Sequence, residues 1–182
     1  LAQISGLNAD AASDLTAKAR EFLAQLPDGN PVSIHTVTPR VAGDLPPALP
    51  VIISSPVTIR PGNMLIIDAR ELPSGTVIQL DNVSFVSIIG AARITGGSGE
   101  NFAAGDDQSQ FIVLGADDDI LSGGGGDDTV GSLSGNDQTS GDAGNDIVYG
   151  GAGNDVLNGG SGNDRLNGGF GFDIAIQAGQ LS

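Results

Sequence analysis

The hydrophobic and polar positions in the second half of the chain recur every nine residues, in phase from Gly96 to the unit that begins at Gly168. Each unit opens with a segment rich in Gly, Asp and Asn and closes with a short run that carries its key residue at the eighth position. These eighth residues are Ala103, Ile112, Leu121, Val130, Thr139, Val148, Leu157, Leu166 and Ala175. A phased, mostly apolar side chain after a turn-rich segment predicts a turn and a short strand in every unit. A fixed short period of this kind predicts a solenoid.

Aspartate occupies the sixth position of seven consecutive units, which gives Asp119, Asp128, Asp137, Asp146, Asp155, Asp164 and Asp173. Six of them follow a glycine by two residues, and these glycines are Gly126, Gly135, Gly144, Gly153, Gly162 and Gly171. Glycine allows a positive φ and lets the backbone pack close to an ion. Carboxylates and turn carbonyls form an oxygen-only ligand set, which suits calcium better than magnesium and does not suit zinc. We therefore predict that these aspartates and glycines form Ca²⁺ sites.

The net charge of −15 lies almost entirely in the repeats, because fourteen acidic residues and one basic residue follow residue 95. Such a chain is expected to repel nucleic acid and anionic membrane surfaces and to attract cations. It contains no apolar stretch of about 20 residues that could span a bilayer. No cleaved signal peptide is visible, and the start at Leu1 suggests a domain of a longer protein. Without cysteine, a secreted fold needs a staple other than disulfides.

The N-terminal part does not carry the repeat and divides into two regions. Residues 9–26 space their apolar side chains as an amphipathic helix does, and the proline-rich residues 31–50 suggest an extended connector. We therefore assign residues 1–50 to a helical cap with its connector. We interpret residues 51–95 as metal-free solenoid coils that continue into the calcium-binding roll and C-terminal cap at 96–182; the alternative is a separate small β domain. The short β-rich runs in this region are 51–53, 57–59, 64–67, 77–80 and 83–89.

Residues 150–158 and 159–167 read G-G-x-G-x-D-x-U-x, where U is a large apolar residue. On these motifs, residues 96–176 resemble the RTX (repeats-in-toxin) family of calcium-binding repeats. The resemblance implies a parallel β-roll in which two units complete one coil and sixth-position aspartates two units apart share an ion. Carried onto this chain, it implies five complete sites, which pair Asp119 with Asp137, Asp137 with Asp155, Asp155 with Asp173, Asp128 with Asp146, and Asp146 with Asp164. The expected fold class is thus an all-β solenoid, a calcium-bound parallel β-roll or β-helix with an N-terminal amphipathic helix cap.

Several units depart from the family pattern. Asn101 and Gln110 stand where aspartate belongs, so calcium is not expected in their turns. Gln108 and Asp117 replace the fourth-position glycine in two units, which disfavours calcium there as well. The glycine pair is altered at Ser132-Leu133 and at Asp142, where we expect distorted but still liganded turns. Further turn acids are interpreted mainly as solvated residues, with peripheral calcium ligands as the alternative; they are Asp106, Asp107, Asp117, Asp118 and Asp127.

Tracts rich in Gly and Asp are also typical of disordered linkers. Disorder does not demand a phased apolar residue in every unit, so we expect it for the calcium-free state and not for the calcium-bound one.

The sequence offers no recognisable active site, and we expect no enzymatic activity. Its single histidine, His35, lies in the proline-flanked connector. The resemblance implies a non-catalytic calcium-binding module of a secreted or cell-surface bacterial protein, which folds on calcium after export by type I secretion machinery. It would act as stabiliser, spacer or adhesive platform, with calcium ions and cell-surface or polysaccharide ligands as partners. The alternative is an accessory module of a secreted polysaccharide-acting enzyme, such as a lyase or epimerase, or of another exported hydrolase.

Overall fold

The structure, a computed structural model, describes residues 33–54, 63–97 and 99–177. Within these ranges the regular elements are fifteen β-strands. The amphipathic helix predicted at 9–26 and the strand predicted at 57–59 lie outside them. The strands are β1 Ser33–Val37, β2 Val51–Ser54, β3 Asn63–Asp68, β4 Val77–Asp81, β5 Phe85–Ile89, β6 Arg93–Thr95, β7 Phe102–Ala104, β8 Phe111–Val113, β9 Ile120–Gly125, β10 Thr129–Gly131, β11 Gln138–Ala143, β12 Ile147–Ala152, β13 Val156–Asn158, β14 Arg165–Phe170 and β15 Ile174–Ile176.

The strands form two parallel sheets, and the chain alternates between them. The odd-numbered strands make an eight-stranded sheet in the order β1-β3-β5-β7-β9-β11-β13-β15, and the even-numbered strands make a seven-stranded sheet from β2 to β14. In the repeats, each residue pairs with the residue eighteen positions away, as Val130 does with Val148 and Thr139 with Leu157. Two nine-residue units therefore complete one coil, and the prediction of a parallel all-β solenoid is confirmed.

The core is a column of side chains between the two sheets. It runs without a break from Ile67 through Ile94 and Ile112 to Leu157. The eighth-position residues from Ala103 to Leu157 are all buried, and in the last two units Leu166 is partly buried and Ala175 is exposed. The eighth-position side chains therefore lie on the face of each strand that points into the roll.

The strands that precede the repeats join the same two sheets. β2, β3, β4 and β5 fall on four of the β-rich runs named above. Two strands were not predicted: β1, inside the proline-rich connector, pairs with β3, and β6 pairs with β4 and β8. At the β6–β8 pairing, the Arg93 guanidinium lies 3.8 Å from the centroid of the Phe111 ring. The division of the chain into three regions stays a prediction.

Candidate metal centre

The sixth-position residues form two rows, because successive turns lie on alternate edges of the roll. Each of these residues directly precedes a strand, so the strand register fixes its height along the axis. The first row leads into the eight-stranded sheet and contains Asn101, Asp119, Asp137, Asp155 and Asp173. The second row leads into the seven-stranded sheet and contains Gln110, Asp128, Asp146 and Asp164.

Within each row, one carboxylate oxygen binds the backbone of the coil before it. The N–H of Asp119 donates to Asp137 Oδ1 at 2.8 Å, and the N–H of Asp137 donates to Asp155 Oδ1 at 2.8 Å. In the second row, the N–H of Asp128 donates to Asp146 Oδ1, also at 2.8 Å. The remaining pairs repeat the contact: Asp146 with Asp164 at 3.0 Å, and Asp155 with Asp173 at 3.1 Å. The structure thus brings together all five aspartate pairs that the family resemblance implies.

The second carboxylate oxygen is buried and has no hydrogen-bond partner at five positions among the described residues: Asp128, Asp137, Asp146, Asp155 and Asp164. A buried charged oxygen without a partner is costly in a folded protein. The Oδ2 of Asp119 differs, because Ser132 Oγ donates a hydrogen bond to it at 3.1 Å. No pattern in the sequence indicates this contact, because Ser132 stands at a position where the repeat has glycine.

A first-position glycine leaves room beside four of these oxygens, whereas Ser132 holds the first position of the unit that contains Asp137. A Cβ on Gly123 would stand 2.6 Å from Asp128 Oδ2 and 2.7 Å from the carbonyl oxygen of Gly141. A Cβ on Gly141 would stand 2.5 Å from Asp146 Oδ2 and 2.7 Å from the carbonyl oxygen of Gly159. A carboxylate oxygen and a carbonyl oxygen from the next coil therefore converge beside a residue without a side chain. Such oxygen donors suit Ca²⁺, so the residues present fit this ion.

The six predicted fourth-position glycines have a direct structural role. Gly144 has a φ of 146° and Gly153 a φ of 152°, in the region that disfavours residues with a side chain. A Cβ on Gly153 would overlap the carbonyl oxygen of Gly135 in the coil before it. Gly126, Gly135, Gly162 and Gly171 have positive φ as well. These glycines let adjacent turns stack closely, and a role for their carbonyl groups as calcium ligands stays a prediction.

Two of the irregular turns keep a left-handed residue at the substituted position. Asp117 and Asp142 adopt φ values of 78° and 72° in place of glycine. The Asp142 carboxylate accepts a hydrogen bond from Ser140 Oγ at 2.6 Å and a second one from Ser122 Oγ. These hydroxyl contacts offset part of the strain of a left-handed non-glycine residue.

Burial shifts the ionisation of the stacked carboxyls. Desolvation is the main cause that raises the pKa of Asp119 to about 6 and that of Asp128 to about 7. The hydrogen bonds from the N–H groups of Asn101 and Gln110 lower these pKa values, whereas the neighbouring carboxylates raise them. The pKa values of Asp137 and Asp146 are raised for the same principal reason. Ionising these carboxyls costs free energy, because they are desolvated and lie next to other carboxylates. A bound cation would remove this cost.

A second ladder, which sequence reasoning missed, runs along each row at the fifth position. The N–H of Asn136 donates to Asp118 Oδ1 at 2.7 Å, and the N–H of Asn154 donates to Asn136 Oδ1 at 3.0 Å. In the other row, the N–H of Asn145 donates to Asp127 Oδ1 at 2.8 Å, and Asn163 continues the ladder. Asp118 and Asp127 are exposed, as expected for solvated turn acids, but each also anchors a ladder. The repeated Asn-Asp dipeptide at positions five and six is the signal that could have revealed it.

Among the residues that the structure describes, side chains alone do not surround an ion. In the described part of the chain, no three His, Cys, Asp or Glu side chains come together in a way that could hold a metal. A two-carboxylate turn completed by carbonyl oxygens is consistent with this finding. No helix among the described residues combines the length and the apolar character that a membrane span requires.

A parallel solenoid whose turns stack carboxylates in two rows, beside converging carbonyl oxygens, belongs to the class of calcium-binding β-rolls. Residues 104–138 and 140–175 match the family model of the RTX calcium-binding nonapeptide repeat, in four copies. This stretch is an RTX repeat region, and RTX nonapeptide repeats bind calcium. The unit that begins at Gly96, which carries Asn101, lies largely outside the matched residues. No curated protein and no solved structure matched the chain.

Proposed function

We propose that this chain is a non-catalytic calcium-binding module of a secreted or cell-surface protein, which folds when it meets calcium after export. The observation that carries the proposal is the set of five buried Oδ2 oxygens without a hydrogen-bond partner, stacked along the two turn rows. RTX repeats are typical of exported proteins, which supports an extracellular location and type I secretion machinery as the export partner. The folded roll serves as a stabiliser, spacer or adhesive platform in the parent protein.

Five ions are proposed, one for each aspartate pair. In the first row they lie between Asp119 and Asp137, between Asp137 and Asp155, and between Asp155 and Asp173. In the second row they lie between Asp128 and Asp146 and between Asp146 and Asp164. The ion supplies positive charge and coordination sites, while the carboxylates and the turn carbonyls supply oxygen donors. The position-four glycines keep neighbouring turns close enough for one ion to contact both.

The composition of the core explains why folding depends on the ion. Each nine-residue unit inserts one eighth-position side chain between the sheets, and burying a Val, Leu or Ile contributes about 1.5–3 kcal/mol. This is small against the backbone entropy lost by nine residues, of which many are glycine. Stacking the carboxylates adds repulsion and desolvation. Binding of calcium removes these two penalties, so metal binding and folding of residues 96–176 become one event.

The test is far-UV circular dichroism of the purified chain with chelator, with calcium and with magnesium. We expect a cooperative gain of β structure with calcium, at dissociation constants of about 10⁻⁴ to 10⁻³ M, as in extracellular modules. Magnesium at equal concentration should not replace it. The double variant Asp137→Asn and Asp146→Asn removes from each row one carboxylate that serves two proposed ions and should weaken the response. Glu100→Gln, an exposed acid outside the ladders, is the matched control. An identical spectrum with and without calcium would contradict coupled folding.

A further inference from the structure

Gln110 occupies the sixth position of the first unit in the second row, where the family pattern has aspartate. It is 4% exposed, and its N–H donates to Asp128 Oδ1 at 2.7 Å, the same contact that links the aspartate pairs. The backbone of this turn is therefore stacked on the next coil in the register of the proposed calcium sites.

The neighbours of the Gln110 amide fix its orientation. Nε2 donates to Asp106 Oδ1 and to the carbonyl oxygen of Gly90 at 3.3 Å. A carboxylate and a carbonyl can only accept hydrogen bonds, so the NH₂ group faces them and Oε1 faces away. Asp106 is held in turn by the N–H groups of Gly90 at 2.8 Å and Gln108 at 3.0 Å. Asp106 thus acts as a positioning residue for the amide.

The oxygen of this amide takes the place of a ligand oxygen in the regular turns. Gln110 Oε1 is buried and has no hydrogen-bond partner within the described ranges. A Cβ on Gly105 would overlap both Gln110 Oε1 and the carbonyl oxygen of Gly123. The same convergence of a side-chain oxygen and a carbonyl from the next coil occurs beside Gly123 and Gly141.

Asn101, the equivalent residue of the first row, also has a buried amide oxygen without a hydrogen-bond partner among the described residues, but it lacks the converging carbonyl oxygen. Its Nδ2 donates to the carbonyl oxygen of Val83 at 2.8 Å. A Cβ on Gly96, the first residue of its unit, would meet backbone atoms of Leu114 and Gly115 instead of ligand oxygens. The facing Asp119 Oδ2 already accepts a hydrogen bond from Ser132. The two turns with a sixth-position amide therefore differ in the oxygen donors that lie beside the amide, and only the Gln110 turn has the carbonyl oxygen of the regular turns.

We propose that Gln110 Oε1, the carbonyl oxygen of Gly123 and the Asp128 carboxylate form a sixth calcium site, which begins the second row. The inference rests on the proposed calcium role of the aspartate pairs. The two ends of the amide have different roles. The NH₂ group donates hydrogen bonds to Gly90 and Asp106, and the oxygen is a ligand of the ion between this turn and the next coil. A neutral amide attracts Ca²⁺ less than a carboxylate does. The nearby Asp106 carboxylate supplies part of the missing negative charge. The sixth ion therefore binds more weakly than the other five.

The experiment counts bound calcium by equilibrium dialysis at saturating concentration for the wild-type chain and three variants. Gln110→Met keeps a similar volume but removes the ligand oxygen, and Gln108→Met makes the same change at an exposed residue of the same turn. We expect one ion fewer for Gln110→Met and no loss for Gln108→Met. Gln110→Glu should leave the count unchanged and tighten the weakest ion.

The possible outcomes distinguish failure of the sixth site from failure of the proposed calcium-binding function. Equal counts for the wild type and Gln110→Met would overturn the sixth site and leave the aspartate pairs intact. A count that rises by one in Gln110→Glu would overturn it too, because the wild type would then hold no ion there. If Gln110→Met fails to fold in calcium, the comparison with Gln110→Glu still decides. If the wild type binds no calcium at all, the proposed function itself fails.

Discussion

Asp155 and Asp173 lie in the same row, yet they are expected to serve different numbers of ions. Asp155 lies between Asp137 and Asp173: its Oδ1 accepts the N–H of Asp137 at 2.8 Å, and its own N–H donates to Asp173 Oδ1 at 3.1 Å. In the proposed arrangement it contributes to two ions, whereas Asp173 contributes to one. Substitution by asparagine keeps an oxygen that can accept the N–H of the preceding coil and removes the negative charge. The substitution therefore isolates the contribution of the ions.

The expected magnitudes follow from mass action. At free calcium about 100 times the dissociation constant, each ion bound only to the folded state contributes about 2.7 kcal/mol to the free energy of unfolding. Asp155→Asn should cost up to about 5.4 kcal/mol, the value for complete loss of two ions, and Asp173→Asn up to about half of that. Because a solenoid is held together by nearest-neighbour contacts, the first variant breaks the stack internally and the second frays its end.

Native mass spectrometry and urea denaturation in calcium measure the ion count and the loss of stability. Asp127→Asn is the control, since this exposed acid belongs to the fifth-position ladder and asparagine occupies the equivalent place at Asn136. The control should keep the full ion count. Equal ion losses and equal urea midpoints for Asp155→Asn and Asp173→Asn would refute the sharing of ions between aspartates two units apart.

Three further predictions follow from the turns. Burial raises the pKa of Asp119 to about 6 and that of Asp128 to about 7, from 3.8. The folded state therefore binds these protons more tightly than the unfolded state, so chelated protein should be most ordered below about pH 4 and lose order towards pH 7 in a circular dichroism titration. Calcium must displace these protons, so its affinity measured by calorimetry should fall from pH 8 to pH 5, and a constant affinity would be the contrary result. Gly153→Ala should destabilise the calcium form by several kcal/mol in thermal denaturation, because the added Cβ overlaps the Gly135 carbonyl oxygen. The control Gly43→Ala also has a positive φ but lies in open space, so it should cost about 1 kcal/mol or less. Nearly equal melting temperatures for these two variants would contradict close stacking.

The sequence predicts the architecture of the repeats well because each unit carries its own signal. The phased residues from Ile112 to Leu157 point inward as their period requires, and the sixth-position aspartates stack at the predicted interval of two units. The nine-residue period determines the first fact, and the resemblance to the RTX repeats implied the second.

Contacts between individual side chains that do not follow the repeat were not predictable from the sequence. The hydrogen bond from Ser132 to Asp119 and the contact between Asp106 and Gln110 join side chains whose types carry no shared pattern. β1 escaped prediction because prolines dominate its surroundings, and its strand conformation is supported by pairing with β3. Tertiary pairing overrides local propensity at such places.

The eighteen-residue coil also has a mechanical consequence. Neighbouring coils are spaced by about 4.8 Å along the roll, the usual distance between adjacent strands. The same eighteen residues pulled straight would reach about 60 Å. A coil that opens under tension therefore lengthens the chain roughly twelvefold over that segment. Because the proposed ions connect one coil to the next, we expect the force at which this extension begins to rise with the calcium concentration. The repeat region is in this sense a tether whose length is controlled by a dissolved ion.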